Sequence, residues 1–312
     1  AFSAEDDDRF SAVYVRDRVT GTTRLVSRAT GAAGAVGNSD ALDPSISDDG
    51  RFVAFTSYAT NLDPADPDEF GDVYVRDTVA QTTTLVSRAT GAAGVKGNSN
   101  SGAARISGDG GSVAFETSSN NLSVADPDTG LDIYRRSFVA SSTILVSLTG
   151  AATKGNGGSS DPSISDNGQY VAFISSSTNL DPADSDVTSN AFRRNVSGAS
   201  TVLLDRADGA AGAKANGGLV ELELSGSGDV AVFTTNATNL DEAGDPDPAS
   251  DFDYDIYTRK VSTTDTTLLS RATGDAGAKA DDRSYFPSIN DAGTRVAFIS
   301  EGDNLGVATT DE

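Results

Sequence analysis

The stretch VYVRDRVTGTTRLVSRATGAAG, residues 13–34, decides the fold because it returns as VYVRDTVAQTTTLVSRATGAAG at residues 73–94. Three looser copies follow, and they begin at Ile133, Ala191 and Ile256. A second motif, DPSISDDGRFVAFTS at residues 43–57, alternates with the first and also occurs five times. The motifs repeat together at a period of about 60 residues, and periods of tens of residues indicate propellers or solenoids.

Each repeat predicts four short strands, which we call A to D. The segments PSIS, FVAF, VYVRD and TTLVS place β-branched or aromatic residues at every second position. The turn SDDGR between the first two is typical of a hairpin, with glycine at the left-handed corner. Four strands in each repeat favour the blade of a β-propeller. A β-solenoid is the alternative, although its coils are usually much shorter.

The repeat resembles that of the TolB-type propeller family across all five units. The resemblance rests on DPSISDDGRFVAFTS followed by DVYVRD and TTLVSRATG, where the family typically has Pro-Ser-Trp-Ser-Pro-Asp-Gly and then two apolar strands. Ile46 replaces the family's tryptophan here, and Asp48 replaces its second proline. The resemblance implies a propeller fold, and the partners of TolB itself lie in the cell envelope.

The predicted fold is therefore an all-β, five-bladed β-propeller with four-stranded blades in a single domain, residues 1–312. The predicted blades cover about 43–88, 103–148, 161–206 and 220–271, and a terminal blade combines 286–312 with 1–28. Two N-terminal and two C-terminal strands would close that terminal blade. If these half-blades pair with a neighbouring molecule instead, a swapped oligomer or a filament results.

Composition excludes several kinds of chemistry. The chain has no Cys, His, Met or Trp, so disulfides, thiolate chemistry, Cys/His zinc sites and Ser-His-Asp triads are impossible. A net charge of −23 makes nucleic acid and anionic membranes poor partners. No apolar run is long enough for a membrane helix, so membrane insertion is not expected. The start at Ala1 fits a processed, exported protein, secreted or extracellular, with the periplasm as the other location.

An acidic loop between strands B and C carries the pattern Asp-x-Asp-x-x-x-Asp in successive copies. Acidic loops 1 to 4 are, in chain order, Asp66, Asp68 and Asp72; Asp126, Asp128 and Asp132; Asp184, Asp186 and Asn190; and Asp245, Asp247 and Asp251. The N-terminal copy supplies Asp6 and Asp8 but has Ala12 at its third position. Clustered oxygen ligands are what Ca²⁺ requires, so the spacing predicts several weak calcium sites. Solvated acidic turns are the alternative, since Asp is a favoured turn former.

Other repeated residues are candidates for binding or catalysis. The loop between strand D and the next strand A, the D–A loop, repeats small residues and a lysine: Lys96, Lys154, Lys214 and Lys279. These loops predict either multivalent recognition sites or structural turns set by glycine. The strand C arginines are expected to bind neighbouring blades: Arg16, Arg76, Arg136, Arg194 and Arg259. Glu221 and Glu223 interrupt the strand A pattern and are weak catalytic candidates for a carbohydrate-active hydrolase.

Together these patterns favour a secreted, calcium-stabilised propeller that acts as a non-catalytic binding or structural module. A subunit of an extracellular filament assembled by strand exchange and a hydrolase that uses channel carboxylates are the alternatives. The expected partners are an extracellular protein, a glycan or another copy of the chain.

Overall fold

The computed structural model describes residues 9–150, 153–240, 254–274 and 277–306. All 22 regular elements in these ranges are β-strands, which confirms the all-β class. No helix in these ranges is long and apolar enough to cross a membrane. The chain divides into two compact units, of which unit 1 runs to Val146 and adds residues 166–168, and unit 2 contains the remainder.

Unit 1 contains a two-stranded hairpin and two four-stranded antiparallel sheets, which we call hairpin N, sheet 1 and sheet 2. Neighbouring strands in each sheet are consecutive in the chain, so the predicted order A–B–C–D is confirmed. Hairpin N consists of β1 (Tyr14–Arg16) and β2 (Thr23–Leu25). Sheet 1 consists of β3 (Ala41–Ile46), β4 (Phe52–Ser57), β5 (Asp72–Asp77) and β6 (Thr82–Leu85). Sheet 2 consists of β7 (Ser101–Ile106), β8 (Ser112–Thr117), β9 (Asp132–Ser137) and β10 (Ser142–Leu145).

Unit 2 repeats the pattern as sheet 3, sheet 4 and a two-stranded hairpin C, preceded by a short strand pair. The short pair is β11 (Leu148–Thr149) and β12 (Thr153–Lys154). Sheet 3 consists of β13 (Ser159–Ile164), β14 (Tyr170–Ser175), β15 (Asn190–Asn195) and β16 (Ser200–Leu203). Sheet 4 consists of β17 (Leu219–Leu224), β18 (Val230–Thr235), β19 (Asp255–Lys260) and β20 (Asp265–Leu268). Hairpin C consists of β21 (Ser284–Ile289) and β22 (Val296–Ser300).

Each four-stranded sheet is built around one aromatic pair on its two central strands. In sheet 1, Phe55 lies opposite Tyr74 in the register, both are fully buried, and their ring centroids are 5.8 Å apart. The same stacking recurs in sheets 2, 3 and 4 at centroid distances of 6.0, 5.9 and 6.1 Å. Because the side-chain period of a strand is two, alternation fixes which residues enter this core. The repeated FVAF and VYV segments are therefore the source of the buried layer.

Within each unit, strand A of one sheet packs against the sheet before it: β7 on β4, β17 on β14 and β21 on β18. The strand C arginines join the same pairs of sheets. Arg76 donates from Nη1 to Ala29 O (2.9 Å) and from Nη2 to Gly31 O (3.0 Å), both in the preceding D–A loop. Arg136 and Arg259 bind their preceding loops in the same way, and Arg194 donates to Leu148 O. The expectation that these arginines bind neighbouring repeats is confirmed for these four.

The predicted terminal blade is not described as one sheet. Hairpin N and hairpin C each form a two-stranded sheet among the described residues. Sheets 1 to 4 overlap the four predicted internal blades, and the first strand of each sheet begins one or two residues before the expected range, at Ala41, Ser101, Ser159 and Leu219. The closure of a fifth blade, the total blade number and the single-domain organisation stay predictions.

Candidate cation-binding loops

Acidic loop 1 lies between β4 and β5, and the structure brings its three carboxylates together as the sequence predicts. One oxygen of each of Asp66, Asp68 and Asp72 lies within 4.8 Å of the others. Asp72 is the first residue of β5 and is fully buried, whereas Asp68 is partly exposed. Tyr74 donates its hydroxyl to Asp66, and Ser87 donates to Asp72 Oδ1 at 2.5 Å. The loop is thus a preorganised group of acids.

A cation from the chain itself lies inside acidic loop 1. Lys96 Nζ is 2.7 Å from Asp72 Oδ2, 2.9 Å from Asp68 Oδ1 and 3.6 Å from Asp66 Oδ1. The lysine side chain is 8 % exposed, and its ammonium also donates to Gly97 O and lies 5.8 Å from the Phe70 ring centroid. Lys96 was predicted only as a loop residue, because its proximity to carboxylates about thirty positions earlier depends on tertiary structure.

The electrostatics of acidic loop 1 reflect burial opposed by this ion pairing. Burial raises the pKa of Asp72 to about 7, although Lys96 and Ser87 favour its charged form. Burial also raises the pKa of Asp66. Burial by itself lowers the pKa of Lys96, but its hydrogen bonds to Asp72 and Asp68 outweigh that effect and leave the pKa raised. The lysine therefore stays charged and neutralises part of the loop.

An asparagine from the next sheet positions this lysine. Asn121, in the loop that follows β8, donates from Nδ2 to Lys96 O at 2.8 Å. Later repeats have an asparagine at the same position. Asn239 donates to Lys214 O at 2.8 Å, and Asn304 donates to Lys279 O at 2.7 Å. The backbone of each lysine is thus bound by the sheet or hairpin that follows, while Lys96 reaches the acids of the sheet that precedes. The NL motif at the start of each acidic loop therefore has a structural role.

Acidic loop 2 lies between β8 and β9 and repeats the clustering of its three acids. The carboxylate oxygens of Asp126, Asp128 and Asp132 also lie within 4.8 Å of one another, with Asp126 and Asp132 buried. Tyr134 donates to Asp126 Oδ2 at 2.8 Å, as Tyr74 does to Asp66. Acidic loops 1 and 2 are the described groups whose oxygens are close enough to hold a metal ion together.

Acidic loop 3 uses a different distribution of oxygens around its lysine. Lys214 Nζ lies 3.2 Å from Asp186 Oδ1, 3.2 Å from Asn190 Oδ1 and 3.6 Å from Asp184 Oδ1. Asn190 replaces the buried acid of loop 1, and Asp205 stands where the other sheets have serine. Asp205 is fully buried, accepts the Ala191 backbone N–H at 3.0 Å, and has its pKa raised well above the ordinary range by burial. Sheet 3 thus has no carboxylate at the position of Asp72 but has one at the position of Ser87.

The fourth copy carries a further acid, Asp255, that the predicted ligand set does not include. Asp245, Asp247 and Asp251 lie outside the described residues. Asp255 opens β19 and pairs with Thr235, as Asp72 opens β5 and pairs with Ser57. Asp255 Oδ2 lies 2.9 Å from Lys279 Nζ. Sequence spacing missed Asp255 because an insertion lengthens this loop, although an Asp directly before IYTRK, as before VYVRD, was the available signal.

The N-terminal copy lacks both members of the ion pair. Asp6 and Asp8 lie outside the described residues. Ala12 replaces the buried acid, and Val36, which bridges to Arg28 as Lys96 bridges to Arg88, replaces the lysine. The buried acid and the lysine are therefore absent together in this copy.

Glu221 and Glu223, on β17, accept hydrogen bonds from backbone N–H groups of β21, which is strand A of hairpin C. Glu221 Oε2 accepts Phe286 N–H at 2.8 Å and the Thr234 hydroxyl at 2.7 Å. Glu223 Oε2 accepts Ile289 N–H at 2.9 Å. In the equivalent contact, Ser45 Oγ accepts Ile106 N–H at 3.1 Å. Glu223 thus performs the role of a strand A serine with a longer side chain.

The D–A loops also hold successive repeats together. Thr83, on β6, accepts from Arg76, and its backbone N–H donates to Thr30 Oγ1 of the preceding loop at 3.0 Å. Gly31, which is left-handed with φ 111°, donates its N–H back to Gln81 O at 2.8 Å. These contacts favour the structural interpretation of the loops.

Comparison with known proteins gives structural neighbours only, since no family model and no curated protein matches the chain. TolB from Acinetobacter baumannii is similar with a TM-score of 0.48 and 15% identity over 93% of this chain, which spans 57% of that protein. A putative TolB from Agrobacterium tumefaciens is similar with a TM-score of 0.46 and 18% identity. The match covers 84% of this chain and 74% of the Agrobacterium chain. The β-propeller domain of the Trilobed protease from Pyrococcus furiosus has a TM-score of 0.46 and 12% identity, over 84% of this chain and 64% of that one.

Proposed function

We propose that the chain is a non-catalytic binding or structural module of an exported protein. The observation that supports it most is that the carboxylates best placed for catalysis or metal binding already have partners within the chain. Asp72 contacts Lys96 and the Ser87 hydroxyl, and Glu223 accepts a backbone N–H of the adjoining hairpin C. Such a framework presents loops on rigid sheets, which suits recognition. A screen of glycans and of polysaccharide hydrolysis tests it, and hydrolysis lost in Glu221→Gln or Glu223→Gln would favour the hydrolase instead.

Calcium stabilisation belongs to this proposal in a specific form. Ca²⁺ enters an acidic loop only in exchange for the lysine ammonium, because both require the same carboxylates. Wild-type protein is then expected to bind Ca²⁺ weakly at loop 1, and Lys96→Ala to bind it at least tenfold more tightly. Calorimetric titration after EDTA treatment measures both. Lys260→Ala, which removes an exposed lysine, is the control.

An unchanged Ca²⁺ affinity in Lys96→Ala would contradict the exchange. If neither protein binds Ca²⁺, the acidic loops are ion-paired joints without a metal, and the binding-module proposal itself is unaffected.

The partner and assembly are proposed as an extracellular protein, a glycan or another copy of the chain. Native mass measurement separates a monomer from an oligomer or filament formed by strand exchange. Fractionation of the producing cells tests whether the protein reaches the periplasm or the medium.

A further inference from the structure

A cavity of about 320 Å³ lies in unit 1, between hairpin N and sheet 1. Its polar wall is formed by Thr23, Arg24, Arg28, Arg76, Thr78 and Gln81. None of the described residues that line it is an Asp or a Glu. In a chain with 46 acids and 23 bases, a wall with three arginines and no acid is a local reversal of charge.

Two arginines of this wall, Arg76 and Arg28, donate to oxygens of the D–A loop and of β6. Arg76 is 4 % exposed and donates to Ala29 O, Gly31 O and the Thr83 hydroxyl. Arg28 donates from Nε and Nη2 to Gly34 O at 3.0 and 2.8 Å. Burial first, and then the positive charge of Arg28, lower the pKa of Arg76. The two guanidinium groups thus repel each other, and an anion between them and Arg24 would relieve that repulsion.

Arg24 distinguishes this cavity from the equivalent regions of the other described repeats. It lies on β2 opposite Val15, and its side chain is exposed beside the cavity. The equivalent positions, which pair with the fourth residue of each strand β5, β9, β15 and β19, are Thr84, Ile144, Val202 and Thr267. A strand C arginine that donates to the preceding repeat recurs in sheets 1 to 4. Among the described repeats, an arginine at the position of Arg24 occurs only in hairpin N.

We propose that this cavity binds a tetrahedral oxyanion, phosphate or sulfate, free or carried by a small molecule, with Arg24 as the residue that decides binding. Guanidinium groups bind such oxyanions through paired N–H donors. The volume is at the lower end of the range for small-molecule sites, and the net charge of −23 disfavours a polyanion. Gln81 and Thr78 add neutral polar groups to the wall.

The test is a titration of the whole chain with inorganic phosphate, inorganic sulfate and a monosaccharide sulfate, in chloride buffer of constant ionic strength. Calorimetry and the ¹⁵N signals of Gln81 and the arginine side chains report binding. We expect one site, with at least a tenfold loss of affinity in Arg24→Gln and partial recovery in Arg24→Lys. Arg18→Gln, which removes an exposed arginine from the same hairpin, is expected to change affinity less than twofold.

The outcomes decide the proposal. Inorganic anions that bind as well as the sugar sulfate indicate a free oxyanion, and tighter binding of the sugar indicates a carried one. No binding at concentrations up to about 10 mM would overturn the proposal. Equal losses in Arg24→Gln and Arg18→Gln would also overturn it, since a general charge effect would then explain binding. Unchanged circular dichroism of Arg24→Gln shows that a loss of binding is not a loss of fold.

Discussion

At the scale of the residue, Lys96 shows how an acidic loop that resembles a calcium site can be neutralised without a metal. Its ammonium reaches three carboxylates, while Asn121 of the next sheet holds its backbone carbonyl. Because the lysine is covalently attached, its effective concentration at the site does not depend on the medium. The joint absence of this pair at Ala12 and Val36 agrees with that role.

Replacing Lys96 with Met is expected to lower the free energy of unfolding by about 3 kcal/mol, because Asp66 and Asp72 would stay buried without their cation. Urea unfolding at neutral pH without divalent cations measures the change. Lys260→Met removes an exposed lysine and should change stability by about 0.5 kcal/mol or less. Equal effects of the two substitutions would contradict the neutralising role of Lys96.

Asp205 is expected to make stability fall as pH rises. Its raised pKa means that the folded state keeps a proton that the unfolded state releases near pH 3.9, so the stability it contributes is lost as pH rises from there through the folded pKa. Asp205→Ser should therefore gain stability relative to wild type as pH increases from about 4 to about 8. Urea unfolding across that range measures the difference.

The double variant Asn190→Asp with Asp205→Ser provides the matched comparison, because it rebuilds the Asp–Ser pair of sheet 1 in sheet 3. A difference between wild type and Asp205→Ser that does not vary with pH would show that Asp205 does not titrate in this range.

At the scale of the element, the sheets are joined by groups that recognise backbone oxygens. The strand C arginine binds the preceding D–A loop, and strand A packs on the preceding strand B. These contacts were predictable in kind, because an arginine repeated on a strand without a ligand motif favours a structural partner. Their acceptors were not predictable, since carbonyl groups leave no trace in the sequence.

Arg136→Lys is expected to lower the free energy of unfolding by about 2 kcal/mol. A lysine keeps the charge but cannot reach Ala89 O, Gly91 O and the Thr143 hydroxyl at the same time. Chemical unfolding measures the loss, and Arg18→Lys, at an exposed position, should be neutral. A stability equal to wild type would show that charge alone suffices at this joint.

At the scale of the whole molecule, the net charge of −23 opposes the compact state. Increasing NaCl from about 10 to about 150 mM shortens the screening length from about 30 to about 8 Å. The Tm is therefore expected to rise by about 2 °C or more, because screened self-repulsion outweighs the weakening of exposed ion pairs. Differential scanning calorimetry in chloride buffer measures it, and a Tm that falls with NaCl would mean that ion pairs dominate instead.

Much of the fold was predictable because its signals are local. The alternation in FVAF and VYVRD predicts the central strands, and glycine in SDDGR predicts the turn between strands A and B, where Gly50 has φ 70°. Spacing also predicted that Asp66, Asp68 and Asp72 lie together, since all three belong to one short loop. Asp255 was missed because an insertion displaced the spacing while the strand register kept its position.

The sequence by itself determined an all-β chain of repeated four-stranded units and the clustering of acids in their loops, because both depend on residues close in the chain. Only the tertiary structure decided which cation meets those acids, that Glu223 holds a neighbouring strand, and that Arg24, Arg28 and Arg76 line one cavity. These pairings depend on how one repeat packs against the next. Local periodicity does not encode that geometry.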